Sequence, residues 1–157
     1  MTPADLLAKA RLQGVMIAAA ESCTGGMVMA ALTDVPGSSD VVERGFVTYS
    51  NDAKIEMLDV SPQALAAHGA VSAEVAAEMA AGALTASRAQ LAVSITGIAG
   101  PGGSDHKPEG RVWFGIAREG GDVTTDLQEF GALGRAAVRR AARDHALTLM
   151  AQALDQP

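Results

Sequence analysis

Two side chains that could act as nucleophiles follow an apolar run near the start of the chain, in the stretch AAAESCTGGMV. The hydroxyl of Ser22 could act as a nucleophile, although a serine between a strand and a Gly-Gly pair is more often a helix cap. Cys23 is the alternative nucleophile, because a thiolate is intrinsically stronger than an alcohol. Either group needs a nearby base, so the stretch predicts covalent chemistry only if the fold supplies one.

Histidine is the usual base for such a nucleophile, but none of the three histidines is an obvious partner for Ser22. His106, in the glycine-rich loop TGIAGPGGSDHKPEG, is the least unsuitable of them. Lys54 is a stronger candidate, because it lies in the first turn of a predicted helix, whose positive end disfavours a second positive charge. A partly desolvated lysine can be neutral near pH 7 and accept a proton. The alternative for Lys54 is a solvated surface position.

Tyr49, the only tyrosine, either packs in the core or places its hydroxyl at the end of a strand.

Two glycine-rich stretches could bring backbone N–H groups close to an anion. The first is Gly25 and Gly26, after Thr24; the second is TGIAGPGG, which begins at Thr96. Its glycines are Gly97, Gly100, Gly102 and Gly103. Neither stretch has the spacing of a Walker loop or a dinucleotide fingerprint, and the alternative is an ordinary mobile connection.

Arginines near the start of the last predicted helix could hold a phosphate. Arg135 and Arg139 are four residues apart and share one helical face. Such arginines are usually surface charges, but Arg135 becomes a natural phosphate clamp if the helix begins beside the other motifs. No set of His, Cys, Asp and Glu has the spacing of metal ligands, so we expect no metal.

The elements that must position these groups alternate along the chain. Helices are predicted at residues 2–14, 25–34, 51–60, from 61, 72–87 and 133–154. Strands are predicted at residues 15–20, 41–50 and 91–95, with a hairpin of two more strands in 111–130 that turns at Gly120-Gly121. This order predicts a three-layer α/β/α domain with a mixed, largely parallel sheet. Because ESCTGG, TYSNDAK and TGIAGPGG each follow a strand, they should meet at the carboxyl edge of the sheet, where ligands bind.

Length and composition favour one domain over residues 1–157. The single cysteine cannot form an internal disulfide, and no leader or membrane span is evident, so we expect a cytoplasmic protein. A net charge of −6 and an aromatic content of 3% argue against nucleic-acid and membrane binding. A small anionic ligand held by a few local donors remains compatible with this charge.

Four motifs in order, AESCTGG, VTYSNDAK, HGAVSAEVA and TGIAGPGG, together resemble the C-terminal domain family of the competence/damage-inducible protein CinA. The resemblance runs from about Leu6 to the last helix. Stand-alone members of that family look like nicotinamide mononucleotide deamidases, which release ammonia and nicotinic acid mononucleotide in pyridine nucleotide salvage. The resemblance therefore implies this substrate, no cofactor and a homodimer.

The resemblance also implies roles for particular residues. Ser22 matches the family's nucleophile and Lys54 matches its proposed base, while Tyr49 and Thr96 fall on positions of the catalytic pocket. Arg135 matches an arginine just inside the last helix. The family often has an acidic residue before that arginine, and Gly134 stands there in this chain.

Backbone N–H groups between Cys23 and Gly26 are candidates for the oxyanion hole. A noncatalytic nucleotide-binding or regulatory module is the alternative function. Such a module would not need Ser22 and Lys54 together.

Overall fold

The computed structural model describes residues 1–156, with a five-stranded sheet at the centre. The strands are β1 Ile17–Glu21, β2 Val42–Val47, β3 Leu91–Gly97, β4 Arg111–Arg118 and β5 Thr124–Glu129. Their order across the sheet is β2-β1-β3-β4-β5. Strand β1 is parallel to β2 and β3, whereas β4 is antiparallel to β3 and β5. The expected mixed sheet is present, and its parallel part holds the three strands that precede the motifs.

Helices cover both faces of this sheet. They are α1 Pro3–Gln13, α2 Met27–Thr33, α3 Asn51–Leu58, α4 Pro62–His68, α5 Ala73–Thr85 and α6 Arg135–Leu154, with a short 3-10 helix at Ser38–Asp40. Alternate residues of β1 enter two separate cores: Ile17 packs with α1, α2 and α6, while Ala18 packs with α3 and α5. The three-layer architecture is therefore confirmed. No helix within residues 1–156 is both long and apolar enough to cross a bilayer.

Several boundaries differ from the predicted ones for local reasons. Helix α2 begins at Met27 instead of residue 25, because Gly25 and Gly26 have φ angles of 58° and 107°, outside the right-handed helical region. Helix α6 begins at Arg135 because Gly134 has a φ of 93°. Strand β3 continues past residue 95 to Gly97, since it pairs with β4 over its whole length.

Candidate active site

The carboxyl ends of β1, β2 and β3 meet at one edge of the sheet, beside a pocket of about 350 Å³. The predicted site residues that line this pocket are Ser22, Cys23, Tyr49, Lys54, Thr96, Gly97, Gly100 and Arg135. They come from four separate parts of the chain, and the parallel strands bring them together. Thr24, Gly25 and Gly26 do not line it, although they continue the same loop.

Lys54 and Ser22 are in direct contact in the wall of this pocket. The Lys54 side chain is 1% exposed, and its Nζ lies 3.0 Å from Ser22 Oγ. Nζ also donates to the backbone carbonyl oxygens of Thr48, at 2.8 Å, and Tyr49, at 3.2 Å. Helix α3 positions the lysine, since Ser50 caps its first turn through the Ala53 N–H.

The surroundings of Lys54 favour its neutral form. Burial lowers the pKa of Lys54 from its ordinary value of 10.5 to about 8. A neutral amine has two N–H groups, which the two carbonyl oxygens can accept, and one lone pair, which remains for the hydroxyl proton of Ser22. The arrangement can therefore remove a proton from Ser22.

Cys23 is a poorer nucleophile than its chemistry alone predicts. The side chain is buried in the core, and burial raises the pKa of the Cys23 thiol to about 11. A thiol with this pKa is protonated near neutral pH. The base contacts the neighbouring hydroxyl instead, since Lys54 Nζ lies 3.0 Å from Ser22 Oγ.

A buried glutamate holds the start of α2. Glu21, fully buried at the end of β1, accepts hydrogen bonds from the N–H groups of Gly26, Val28 and Met29 at 3.2, 3.0 and 3.1 Å. The Gly25 N–H donates to the Ser22 carbonyl at 3.1 Å. The two glycine N–H groups expected to face a ligand are thus engaged inside the protein. In the loop of residues 22–26, the backbone N–H groups without an acceptor are those of Cys23 and Thr24.

Arg135 joins three parts of the pocket. Its guanidinium donates to the Gly100 carbonyl at 2.6 Å and to the Tyr49 hydroxyl at 2.8 Å. Tyr49 is 61% exposed at the end of β2, which settles its position at the strand end and not in the core. The arginine and the tyrosine therefore form an exposed polar rim above the buried Ser22–Lys54 pair.

The family model of the CinA C-terminal domain matches residues 2–154. The chain belongs to this family. The nicotinamide-nucleotide amidohydrolase PncC of Escherichia coli (strain K12) is 52% identical to it over 143 residues, which is 90% of this chain and 86% of that protein.

Solved CinA-family structures have the same fold. The competence/damage inducible protein CihA from Agrobacterium tumefaciens is 46% identical, with a TM-score of 0.89 and coverage of 99% of both chains. The competence damage-inducible protein A (ComA) from Klebsiella pneumoniae is 34% identical, with a TM-score of 0.91 and coverage of 99% of both chains.

The second glycine-rich stretch forms the far wall of the pocket in this CinA domain. Thr96 ends the buried part of β3, and its hydroxyl donates to the Ala70 carbonyl at 2.9 Å. Lys107 ties the loop to the α4–α5 turn by donating to the His68 and Val71 carbonyls at 2.8 and 2.6 Å. The loop therefore has a defined anchor on the neighbouring turn.

Sequence reasoning missed the roles of two carboxylates and two cations around this site. Glu109 accepts from the Gly102 and Gly134 N–H groups at 2.7 and 3.0 Å, and so joins the glycine loop to the start of α6. Arg139 donates to the Cys23 and Thr24 carbonyls at 3.0 and 3.2 Å. The other two are Glu21 and Lys107. Of these four residues, only Arg139 had a signal in the sequence, because it lies one helical turn after Arg135.

The histidines lie outside the pocket. His145 pairs with Asp126 at 2.6 Å, and His68 lies 3.7 Å from Glu74. His106 is exposed and does not line the pocket. No group of three His, Cys, Asp or Glu side chains within residues 1–156 is arranged to hold a metal ion.

Proposed function

We propose that this protein hydrolyses the amide of nicotinamide mononucleotide to nicotinic acid mononucleotide and ammonia. The observation that carries the proposal is the contact of 3.0 Å between the buried Lys54 Nζ and Ser22 Oγ at the wall of the pocket. The substrate is inferred from the amidohydrolase PncC, whose sequence is 52% identical over most of both chains. Ser22 is the nucleophile and Lys54 is its base.

The first half of the reaction forms an ester. Neutral Lys54 accepts the hydroxyl proton as Ser22 Oγ attacks the carboxamide carbon, and the carbonyl oxygen becomes an oxyanion. The unengaged N–H group of Cys23, which lines the pocket, stabilises this oxyanion. The ammonium of Lys54 then gives its proton to the amide nitrogen, the C–N bond breaks and ammonia leaves.

The second half returns the enzyme to its starting state. Lys54, neutral again, accepts a proton from water while the water oxygen attacks the ester carbon. The proton passes back to Ser22 Oγ as the acid is released. Lys54 mediates every proton transfer, so the scheme needs neither a metal nor an organic cofactor.

The polar rim binds the remainder of the mononucleotide in this proposal. Arg135 has N–H groups beyond those given to Gly100 and Tyr49, and these can take a phosphate oxygen. The Tyr49 hydroxyl accepts from Arg135, which leaves its own proton for the substrate. Thr96, Gly97 and Gly100 form the wall against which the substrate lies.

Cytoplasmic location, a role in pyridine nucleotide salvage and a homo-oligomeric assembly complete the proposal. The assembly is favoured by alanine-rich helices, which invite close packing. No observation favours the noncatalytic module, because a binding protein has no need of a base in contact with a serine hydroxyl.

Ammonia release from nicotinamide mononucleotide tests this proposal directly. Purified protein is mixed with the mononucleotide, and ammonia and nicotinic acid mononucleotide are measured over time. We expect the two products to appear in equal amounts with the wild type and to be absent with Ser22→Ala. Product formation no faster than that of the Ser22→Ala variant would contradict the proposed activity.

A further inference from the structure

We propose that Glu109 is a positioning residue that holds Arg135 in the place from which it binds the phosphate of the substrate. The inference rests on the proposed function, because Arg135 takes a phosphate oxygen only in that proposal. It is carried by the two hydrogen bonds that the Glu109 carboxylate accepts, from the Gly102 N–H at 2.7 Å and from the Gly134 N–H at 3.0 Å.

One carboxylate thus fixes both parts of the chain that hold the arginine. Gly134 directly precedes Arg135, and the Arg135 guanidinium donates to the Gly100 carbonyl at 2.6 Å, two residues before Gly102. Both bonds of Glu109 go to backbone N–H groups, and within residues 1–156 no ion pair joins its carboxylate to Arg135. Glu109 therefore acts on Arg135 through the backbone at its Cα and through the acceptor of its guanidinium.

The start of α6 needs an anchor of this kind. Residues 131–134, which lead into the helix, are exposed and contain two glycines with positive φ, Gly131 at 83° and Gly134 at 93°. Glycines leave a segment with wide backbone freedom, and Gly134 has no side chain to cap the helix. The Glu109 carboxylate supplies an acceptor at this end of α6, where the helix dipole favours a negative charge. Without it, the first turn of α6 is free to move relative to the pocket.

Gly100 completes the arrangement on the side of the glycine-rich loop. Its φ is 90°, and a Cβ atom at this position would lie 2.5 Å from Glu109 Cδ. The carboxylate therefore packs directly against Gly100, whose carbonyl accepts from Arg135. Loss of the Glu109 side chain removes this support from the acceptor of the guanidinium.

The sign of the effect separates positioning from simple charge. A carboxylate close to a phosphate site repels an anionic substrate. If Glu109 contributed only its negative charge, its removal would improve the binding of nicotinamide mononucleotide. Positioning predicts the opposite, because a displaced Arg135 binds the phosphate less well.

Glu109→Ala is the first test, with Glu119→Ala as a matched control. Glu119 is exposed at the other end of β4, so its removal changes the net charge equally. We expect Glu109→Ala to lower kcat/KM for nicotinamide mononucleotide about threefold to tenfold, mainly through KM, and to leave kcat/KM for nicotinamide riboside unchanged, since the riboside has no phosphate. Glu109→Gln should give an intermediate value, because its amide oxygen can still accept one of the two N–H bonds. Glu119→Ala should behave as wild type.

A second measurement does not depend on turnover. The binding of ribose 5-phosphate, with ribose as the control, is measured by calorimetry for the wild type, Glu109→Ala, Arg135→Ala and the double variant. We expect Glu109→Ala to weaken the binding of ribose 5-phosphate about threefold to tenfold in the wild type and not to weaken it when Arg135 is already alanine. Urea unfolding identifies any loss of fold, in which case Glu109→Gln replaces Glu109→Ala in the cycle.

The outcomes distinguish this inference from the proposed function. Ribose 5-phosphate binding that depends on Glu109 only while Arg135 is present, in a protein that leaves nicotinamide mononucleotide intact, would support the inference and contradict the proposed substrate. Equal weakening in both backgrounds, or tighter binding by Glu109→Ala, would overturn the inference whatever the substrate. A wild type that binds ribose 5-phosphate no more tightly than ribose would overturn it as well.

Discussion

Lys54 is the residue on which the proposed chemistry depends. It is buried, it lies 3.0 Å from Ser22 Oγ, and its other two neighbours are carbonyl oxygens. The carbonyls accept N–H bonds from either protonation state, whereas burial disfavours the charged one. In the proposed mechanism this residue activates Ser22, and no histidine is required as the base.

The pH dependence of catalysis follows from this lysine. Because the pKa of Lys54 is lowered to about 8 and only the neutral form is a base, kcat/KM should rise with pH and level off above about 8. Lys54→Arg should lower kcat by at least about 1000-fold, since a guanidinium stays protonated. Initial rates of ammonia release from about pH 6 to 10 measure both effects. A flat profile, or an active Lys54→Arg variant, would mean that Lys54 only holds the loop.

Two neighbouring substitutions decide which atom is the nucleophile. Ser22→Ala should abolish ammonia release, whereas Cys23→Ala should keep at least about a tenth of the wild-type kcat, because the protonated Cys23 thiol supplies only packing. Steady-state rates at one pH suffice. The reverse order of activities would assign the reaction to Cys23.

A substrate without a phosphate tests Arg135. Arg135→Ala should raise KM for nicotinamide mononucleotide about tenfold to hundredfold, as expected for a charge-assisted hydrogen bond, and should affect nicotinamide riboside little. Part of the loss can appear in kcat, because remote binding energy also orients the amide. An equal effect on both substrates would show that Arg135 does not contact the phosphate, and the loop of Gly97–Gly103 would then be the better candidate for the phosphate site.

At the scale of elements, the β1–α2 junction is organised by Glu21. Its carboxylate satisfies three N–H groups at the start of α2, and Arg139 satisfies two carbonyls of the same loop from α6. The loop is therefore held from both sides while Ser22 remains at the pocket wall. In the proposed reaction, this preorganisation lets the Cys23 N–H group stabilise the oxyanion without rearrangement of the loop.

Glu21→Gln should destabilise the protein measurably. A glutamine keeps the shape but has one acceptor oxygen, and its amide group faces an N–H donor that it cannot satisfy. We expect the free energy of unfolding to fall by about 1 to 3 kcal/mol, measured by urea denaturation. Glu56→Gln, at an exposed position on α3, is the control and should change little. Equal stability of Glu21→Gln and wild type would contradict the role of Glu21 as a cap of helix α2.

The sequence allowed the elements and the motifs to be predicted, but not the contacts between distant backbone groups. The strand order predicted that Ser22 and Lys54 lie at one edge of the sheet, but their roles as nucleophile and base came from the family resemblance. The role of Glu21 could not be predicted, and Arg139 could be placed only on the same helical face as Arg135, because both side chains bind backbone atoms, which leave no pattern in the sequence. Helix α2 begins two residues later than the sequence predicts, because the left-handed φ angles of Gly25 and Gly26 exclude these residues from the helix.

At the scale of the whole molecule, the fold buries the amine of Lys54 and lowers its pKa to about 8, so folding makes the neutral form easier to reach. Between about pH 8 and 10.5 the unfolded chain keeps its Lys54 proton while the folded chain loses it. The unfolded state then binds more protons, so the contribution of Lys54 to stability rises with pH across this window.

Lys54→Met removes this titration and provides the reference. The free energy of unfolding of the wild type, relative to Lys54→Met, should increase by about 3 kcal/mol from pH 8 to 10.5. Urea denaturation of both proteins at several pH values measures this difference in the free energy of unfolding. The contributions of the other titrating groups cancel, because both proteins contain them. A constant difference would show that the pKa of Lys54 is not lowered in the folded protein.

The most direct test of the central claim is the mass of the protein during turnover. Wild-type protein is mixed with nicotinamide mononucleotide above pH 8, quenched in acid within milliseconds to seconds, and its intact mass is recorded. The proposed ester on Ser22 predicts a transient species heavier by the mass of the mononucleotide less ammonia, located on the peptide that contains Ser22 and absent from Ser22→Ala. Turnover by the wild type with that adduct on Cys23, or ammonia release by Ser22→Ala at the wild-type rate, would contradict the account.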